Sequence, residues 1–193
     1  SVAEELQGPN QVEWLGRFEE ELGNLDLALD WFISHRTVEP SCRLGVALSW
    51  AWYRLGRVGL ARMWLERVCN LADHGQPGAW TARALDALGW TVFVQGDWSR
   101  SEALYRRALE IARTTGNREA GAIALSNLGV VERWLGESES GTRSCEDAVA
   151  ISRELGDPRR WSNALIWAYA TTGGSPGTER QRAGLSEALC LAR

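Results

Sequence analysis

The sequence contains no lysine, and only two histidines, five prolines and one methionine stand among its 193 residues. All 21 basic residues are therefore arginine; 25 acidic residues outnumber them, and the formal net charge is -4. Proteins that bind nucleic acid through its phosphates normally present a basic face, so we expect no direct nucleic acid binding by this chain. The absence of lysine also excludes the Gly-Lys-Ser/Thr phosphate loop of nucleotide-binding domains.

The four cysteines are widely spaced and form no CxxC pair. This spacing speaks against a zinc site or a disulfide framework, and reduced, partly buried thiols are the expectation. No apolar stretch reaches the length of about 18 residues that a membrane-spanning helix needs, and no signal peptide is evident. We therefore expect no metal or other cofactor, no membrane association and a cytoplasmic location.

Candidate catalytic groups are few. His35 and His74 each fall near a predicted helix end, where a capping or solvated role is expected. The glycine-rich stretch 173–177 follows a predicted helix and contains a proline, which is typical of a loop between helices. Because no nucleophile and base occur in a recognisable arrangement, the sequence predicts a protein that is not an enzyme.

A fixed period of 40 residues runs through the chain. The period joins Leu48, Leu88 and Leu128, and likewise Gly56, Gly96 and Gly136. Within each unit, apolar residues recur every three or four positions in two segments, which predicts two helices per unit. The glycine between the two segments can adopt the left-handed conformation that ends a helix.

These features predict an all-α fold, a right-handed superhelical α-solenoid of helical hairpins that forms a single domain over residues 1–193. The expected hairpins are about 10–37, 41–75, 78–116, 117–156 and 157–193, which makes about ten helices. In the first hairpin we assign the breaker role to Gly23, although only 33 residues separate Gly23 from Gly56. The chain opens on serine and stops inside an amphipathic pattern, so we expect a fragment of a longer protein.

One unit carries a recognisable signature, made of Leu88-Gly89, then Gly96-Asp97-Trp98, then Ser101, Tyr105 and Ala108. This order resembles the tetratricopeptide repeat. The next unit matches at Leu128-Gly129, Gly136-Glu137 and Ala148. It departs at Gly141 and Cys145, which stand where a small alanine and an aromatic residue are usual. The period of 40 residues also exceeds the usual length of about 34. We expect these departures to weaken individual contacts and to leave the fold unchanged.

A narrower resemblance concerns residues 15–33 and the units that end in Thr-Gly-Asn or Leu-Gly-Asp. These segments look like the repeat region of bacterial signalling ATPases of the NB-ARC/STAND type, in which a nucleotide-binding domain precedes the repeats and a DNA-binding domain is often appended. The resemblance implies a regulatory segment of a bacterial transcriptional regulator that senses a partner or an effector. A structural spacer or self-association scaffold without a specific ligand is the alternative.

The sequence is rich in tryptophan, with 11 residues. For Trp31, Trp64, Trp98 and Trp161 we expect burial in the seams between helices. By analogy with the tetratricopeptide architecture, the first helix of each hairpin lines a concave groove with its second, fifth, ninth and twelfth positions. The period then gives these candidate binding residues: Arg43, Trp50, Tyr53, Arg54, Arg83, Asp86, Trp90, Phe93, Ser126, Asn127 and Arg133.

A surface that mixes aromatic rings with guanidinium groups can bind peptides or small anionic organic ligands by stacking and by forked hydrogen bonds. We therefore predict that the groove binds a protein or peptide partner, with a small effector as a second option. The alternative is that the arginine and tryptophan side chains stack on one another and only cover the groove. Self-association of the chain is left open.

Overall fold

The computed structural model describes residues 11–156 and the single positions 183, 186, 187 and 190, with side chains described from residue 16 onward. The residues 11–156 form seven helices and no strand. The helices are α1 (Gln11–Ser34), α2 (Val38–Arg54), α3 (Val58–Asp73), α4 (Ala79–Val94), α5 (Trp98–Thr114), α6 (Arg118–Trp134) and α7 (Ser138–Leu155). The predicted hairpin 157–193, including Trp161, lies outside the continuously described residues.

Helices α2 and α3, α4 and α5, and α6 and α7 pack together as three successive hairpins. The first helix of each hairpin also packs against the first helix of the next, and the second helix packs against the first helix that follows it. This succession of neighbour contacts is the arrangement of a helical solenoid. The prediction of an all-α solenoid is confirmed, while its right-handed superhelical sense stays a prediction.

Glycines in the left-handed conformation end the first helices of the hairpins. The backbone angle φ is +68° at Gly56, +85° at Gly96 and +90° at Gly136. An L side chain adopts this region only with strain, whereas glycine does so freely. The predicted breaker role of these glycines is confirmed. At the start of α6, the Asn117 side chain accepts a hydrogen bond of 3.0 Å from the backbone N–H of Ala120 and so caps the helix.

The predicted first hairpin is wrong, because Gly23 lies inside α1, a continuous helix of 24 residues. The seven helices of residues 11–156 are fewer than the ten predicted, because α1 replaces two predicted helices and the predicted hairpin 157–193 lies outside the continuously described residues. Apolar residues at helical spacing continue on both sides of this glycine and pack on the core: Phe18, Leu22, Leu25, Leu29 and Ile33. Gly23 itself is exposed, and a Cβ added there would meet no atom within 4 Å. The continuous apolar stripe therefore outweighs the weak helix propensity of one glycine.

One hydrophobic cluster runs along the seams of all seven helices. Of the tryptophans that were predicted to be buried, Trp64 is only 6% exposed and Trp98 is half-buried. The prediction for Trp31 is wrong, because its side chain is 53% exposed. Two residues of helix correspond to a rotation of about 200°, so Trp31 points away from the face that buries Leu29. Its ring stacks on His35 instead, with ring centroids 4.1 Å apart.

A buried carboxylate connects the last two hairpins. Glu132 on α6 is 1% exposed and accepts hydrogen bonds from Arg106 Nη2 at 3.0 Å, Ser140 Oγ at 2.9 Å and Ser144 Oγ at 2.7 Å. These partners come from α5 and α7, so the network joins three helices. A buried charge is tolerated when its oxygens are paired in this way. No helix in the described part of the chain has the length and apolar character that crossing a membrane requires.

Candidate functional site

A cavity of about 490 Å³ opens between the first helices of the three hairpins. Its lining residues are Val46, Ser49, Trp50, Tyr53, Ala82, Arg83, Asp86, Ala87, Trp90, Thr91, Ala120, Ile123 and Asn127. All of them belong to α2, α4 or α6. The cavity therefore lies on the face that the sequence assigns to the groove, and we call it the groove cavity.

Aromatic rings form one wall of the groove cavity and continue beyond it. Tyr53 and Trp90 meet edge to face, with ring centroids 6.3 Å apart, and Trp90 stacks on Phe93 at 5.5 Å. Phe93 in turn meets Trp134 at 6.0 Å, and Trp134 meets Trp98 at 5.2 Å. Such distances are typical of favourable ring pairs. We call these five rings the aromatic row.

Asp86 on α4 is the carboxylate of the groove cavity. It is half-buried, and its Oδ1 accepts a hydrogen bond of 2.8 Å from Nδ2 of Asn127 on α6. Burial raises the pKa of Asp86 to about 6, although the bond from Asn127 and the positive charge of Arg83 both act to lower it. Burial has this effect because it disfavours the charged form. The carboxylate is thus only partly stabilised in its ionised state.

Arg83 also lines the groove cavity, but other groups engage its guanidinium. The guanidinium carbon lies 5.0 Å from the ring centroid of Trp80, and Nη1 is 3.7 Å from Oε1 of Glu119. Arg43 lies over the same Trp80 ring at 5.4 Å. Trp80 is absent from the predicted set, although the sequence contains a signal for it. Trp80 and Arg83 are three residues apart on one helix, which is a spacing that brings side chains together.

Six of the predicted binding residues line the groove cavity: Trp50, Tyr53, Arg83, Asp86, Trp90 and Asn127. Three others lie next to these residues or to Trp80. Arg54 covers the ring of Trp50 at 5.3 Å, Phe93 belongs to the aromatic row, and Arg43 covers Trp80. The stacking of arginine on tryptophan, which the sequence offered as an alternative, is therefore present at the margins of a cavity that stays open.

The structure does not bring Ser126 and Arg133 to the groove cavity. Ser126 is 8% exposed and is not among the residues that line the groove cavity, so the prediction that it faces the groove is wrong. The next residue, Asn127, takes the groove position on α6. The Arg133 side chain packs towards α7, because its Cγ lies 2.7 Å from the place that a Cβ on Gly141 would occupy. A period of 40 residues predicts equivalent positions on α4 and α6, but it does not predict how each helix is rotated about its own axis.

Other reactive groups in the described residues serve packing and helix ends. Burial raises the thiol pKa of Cys42 to about 11 and of Cys69 to about 12, so neither is an activated nucleophile at neutral pH. Nδ1 of His35 and Nδ1 of His74 each donate to the carbonyl four residues earlier, at 2.8 Å and 2.7 Å. The predicted helix-end role of both histidines is confirmed.

Three carboxylates, those of Glu102, Glu132 and Glu137, come within 4.8 Å of one another. An arginine already stands among them, since Arg106 Nη2 is 2.6 Å from Glu102 and 3.0 Å from Glu132. The guanidinium supplies the positive charge that such a group of carboxylates requires. The cluster is therefore part of the packing between hairpins.

Successive hairpins with glycine-ended first helices, and a groove that is lined within residues 11–156 by those first helices, define a helical-repeat domain. The sequence profile described as Tetratricopeptide repeat matches residues 50–114. No curated protein matches the sequence at a significant level. Together with the solved structures described next, the profile match supports a tetratricopeptide repeat domain.

Solved structures share this fold at low sequence identity. The apo form of RapI superposes with a TM-score of 0.69 at 12% identity, over 80% of this chain and 56% of RapI. Aspartyl phosphate phosphatase F from Bacillus subtilis gives 0.70 at 10% identity, over 91% of this chain and 49% of that protein. A Podosopora anserina protein of nearly identical TPR-like repeats gives 0.63 at 13% identity, over 93% and 91%. The chain thus spans only about half the length of the first two proteins.

Proposed function

We propose that this chain is a non-catalytic interaction module that binds a peptide, or an extended segment of a partner protein, in the groove formed by α2, α4 and α6. The observation that carries the proposal is the groove cavity, where rings, a carboxylate, an amide and a guanidinium converge from three successive hairpins. Broad apolar contact with a few fixed polar groups is typical of ligand sites. The tetratricopeptide fold supports a protein partner.

The composition of the walls favours recognition of another chain over a purely structural surface. Trp50, Tyr53 and Trp90 offer large ring faces with few rotatable bonds, and tryptophan and tyrosine are enriched among residues that dominate binding energy. The hydrogen bond of 2.8 Å between Asn127 and Asp86 holds both polar groups in place before a ligand arrives. A preorganised site loses less entropy on binding.

We further infer that the module is the sensing part of a bacterial transcriptional regulator in the cytoplasm. The support for this is the resemblance of residues 15–33 and of the unit ends to the repeats of signalling ATPases. In such a protein, a ligand that prefers one curvature of the array would bias an attached switch domain.

The test replaces two rings of the cavity, Trp50→Ala together with Trp90→Ala. An array of immobilised random octapeptides is probed with the 193-residue protein, and the strongest peptides are titrated by calorimetry. We expect the double variant to bind these peptides at least about tenfold more weakly, because truncating anchor residues of an interface commonly costs 2 kcal/mol or more. Circular dichroism should show unchanged helicity.

Trp31→Ala is the matched control, since Trp31 is an exposed tryptophan on α1 outside the cavity. It should bind the selected peptides with the affinity of the parent protein. Equal affinity of the double variant and the parent protein would contradict the groove assignment. If no octapeptide binds and light scattering gives a mass that grows with concentration, the self-association scaffold is the better description.

A further inference from the structure

We infer that the groove takes an extended peptide that places a lysine or arginine side chain in the groove cavity beside Asp86. Another, apolar side chain of the same peptide lies on Trp134, an exposed ring of the aromatic row outside the groove cavity. The inference rests on the proposed function and specifies the chemistry of its ligand.

The contacts of the charged groups in the groove cavity favour a cationic ligand. Asp86 has the neutral amide of Asn127 as its hydrogen-bond partner within residues 11–156. Arg83, the cation that lines the cavity, is shared with Glu119 at 3.7 Å and lies over Trp80. The guanidinium of Arg83 is therefore engaged by Trp80 and Glu119, and the hydrogen bond that Asp86 accepts comes from a neutral group. Keeping a half-buried carboxylate ionised costs free energy, and a cationic ligand group would offset that cost.

The walls around the carboxylate also favour a long basic side chain. Trp50, Tyr53 and Trp90 line the same cavity as Asp86. Ring faces carry partial negative charge and attract lysine and arginine groups, with an energy that increases as water is removed. A long basic side chain can also lay its methylene groups along these rings while its charged end reaches the carboxylate. An anionic ligand group, which the sequence alone permitted, would meet Asp86 and the ring faces unfavourably.

The aromatic row favours a peptide over a small free amine. The aromatic row continues out of the cavity to Trp134, which is 56% exposed. Successive centroids in the row are 5.2–6.3 Å apart. In an extended peptide the side chains that face one side recur about every 6.6 Å. Alternate side chains of one peptide can thus contact successive rings, whereas a small amine would use the cavity alone.

The experiment uses the random octapeptide array with three proteins, the parent, Asp86→Asn and Trp134→Ala. The parent protein should select peptides that contain lysine or arginine together with an apolar residue. Asp86→Asn keeps the shape of the side chain and an acceptor for Asn127 but removes the charge. It should bind the selected peptides on the order of tenfold to a hundredfold more weakly. A peptide with norleucine in place of the basic residue should bind both proteins equally.

The second variant and the controls separate the parts of the inference. Trp134→Ala should lose the selection for the apolar residue and retain that for the basic one. Asp147→Asn is the matched control, since Asp147 is exposed on α7 and lines a separate cavity of about 330 Å³. It should leave binding unchanged.

Four results would overturn the inference. If the selected peptides lack a basic residue, or if Asp86→Asn binds them as tightly as the parent protein, the predicted cation beside Asp86 is contradicted. The proposed function still stands in that case, provided that the double tryptophan variant loses binding. If N-acetyl-lysine methylamide binds as tightly as the octapeptides, the claims that the ligand is a peptide and that Trp134 contacts it are contradicted. A failure of every octapeptide to bind would remove the proposed function as well.

Discussion

The hairpins α4–α5 and α6–α7 fill the same repeat positions in different ways. In α4–α5, a Cβ added to Gly89 would lie 2.7 Å from Cε1 of Tyr105. In α6–α7, a Cβ on the equivalent Gly129 would collide with Sγ of Cys145 and would lie 2.7 Å from the backbone oxygen of Gly141. An aromatic ring fills the first seam, and close approach of two backbones closes the second.

This difference changes the meaning of the two departures from the repeat pattern. We expected Gly141 and Cys145 to weaken individual contacts. In the structure they act together, because Gly141 has no side chain and its backbone can approach Gly129 at the place where the other hairpin holds the ring of Tyr105. Interiors are packed at high density, so a smaller residue is accommodated when the backbone opposite can approach. The fold tolerates either solution as long as both sides of the seam change together.

The two hairpins also differ in polarity. Val92 on α4 is fully buried, and the equivalent residue on α6 is the buried Glu132. The partly buried Leu104 on α5 likewise corresponds to Ser144 on α7, whose hydroxyl donates to Glu132 at 2.7 Å. The repeat positions therefore specify which side chains face the seam, while the chemistry of the seam varies from hairpin to hairpin.

The largest effect should come from removing the ring of the first seam. Tyr105 is fully buried, and Tyr105→Cys copies the residue of the second seam without its close backbone approach. Truncating a buried aromatic residue leaves a cavity, so we expect the free energy of unfolding to fall by about 4 kcal/mol. Urea unfolding followed by circular dichroism measures this loss. Cys145→Ala in the other seam should cost only about 1 kcal/mol, and equal losses would contradict the distinction.

The second largest effect should come from adding one methyl group to the second seam. Gly129→Ala places a Cβ against a backbone oxygen, which cannot move away as a flexible side chain could. We expect a loss of about 3 kcal/mol in the free energy of unfolding. Gly121→Ala on the same helix is the control, because its Cβ would lie 3.8 Å from Cβ of Ala112. That control should be neutral or stabilised by up to about 1 kcal/mol, and similar losses at both positions would contradict close packing at Gly129.

A third change tests the polar network between the hairpins. Arg106→Met leaves the Glu132 carboxylate buried without its cation. We expect a loss of about 2 kcal/mol, below the value for fully buried pairs because the Arg106 side chain is 53% exposed. Replacing the network with the residues of the other hairpin, Glu132→Val with Ser144→Leu, should keep the free energy of unfolding within about 1 kcal/mol of the parent. A larger loss in this double variant would show that the network itself is required.

The smallest effect concerns Asp86, which joins the two hairpins through Asn127. The pKa of about 6 in the folded protein exceeds the ordinary value of 3.8. The folded state therefore binds more protons than the unfolded state between these values, so the contribution of Asp86 to stability falls as pH rises from about 4 to 6. Asp86→Asn removes this dependence and should raise the free energy of unfolding at pH 7. We expect about 1 kcal/mol, less than the full change in pKa would give, because water screens the charge of a half-buried side chain. A difference between the two proteins that is the same at pH 4 and pH 7 would contradict the raised pKa.

Much of the fold could be predicted because local signals and spacing agree. Left-handed glycines at 56, 96 and 136 recur at the same place in each unit, and the apolar stripes on both sides have the helical period. The prediction for α1 is wrong because it treats Gly23 as a residue that ends a helix, like the glycines at 56, 96 and 136. A glycine ends a helix only where the apolar stripe also stops, and Leu22, Leu25 and Leu29 continue it.

The candidate site could be predicted only in part. The period places Trp50, Trp90 and Asp86 on one face, and all three line the groove cavity. It does not give the rotation of each helix about its own axis, and one residue corresponds to about 100°. That is why Asn127 and not Ser126 reaches the cavity. Contacts between hairpins, such as the one between Phe93 and Trp134 at 6.0 Å, depend on how whole helices are seated against each other.

The central claim is that a peptide binds the face made by the first helices. Hydrogen–deuterium exchange with and without a selected octapeptide tests this claim most directly. We predict that bound peptide slows amide exchange in segments of α2, α4 and α6, and that exchange in α3 and α5 is unchanged. Slower exchange confined to α3 and α5, or no change in the first helices at saturating peptide, would contradict the account.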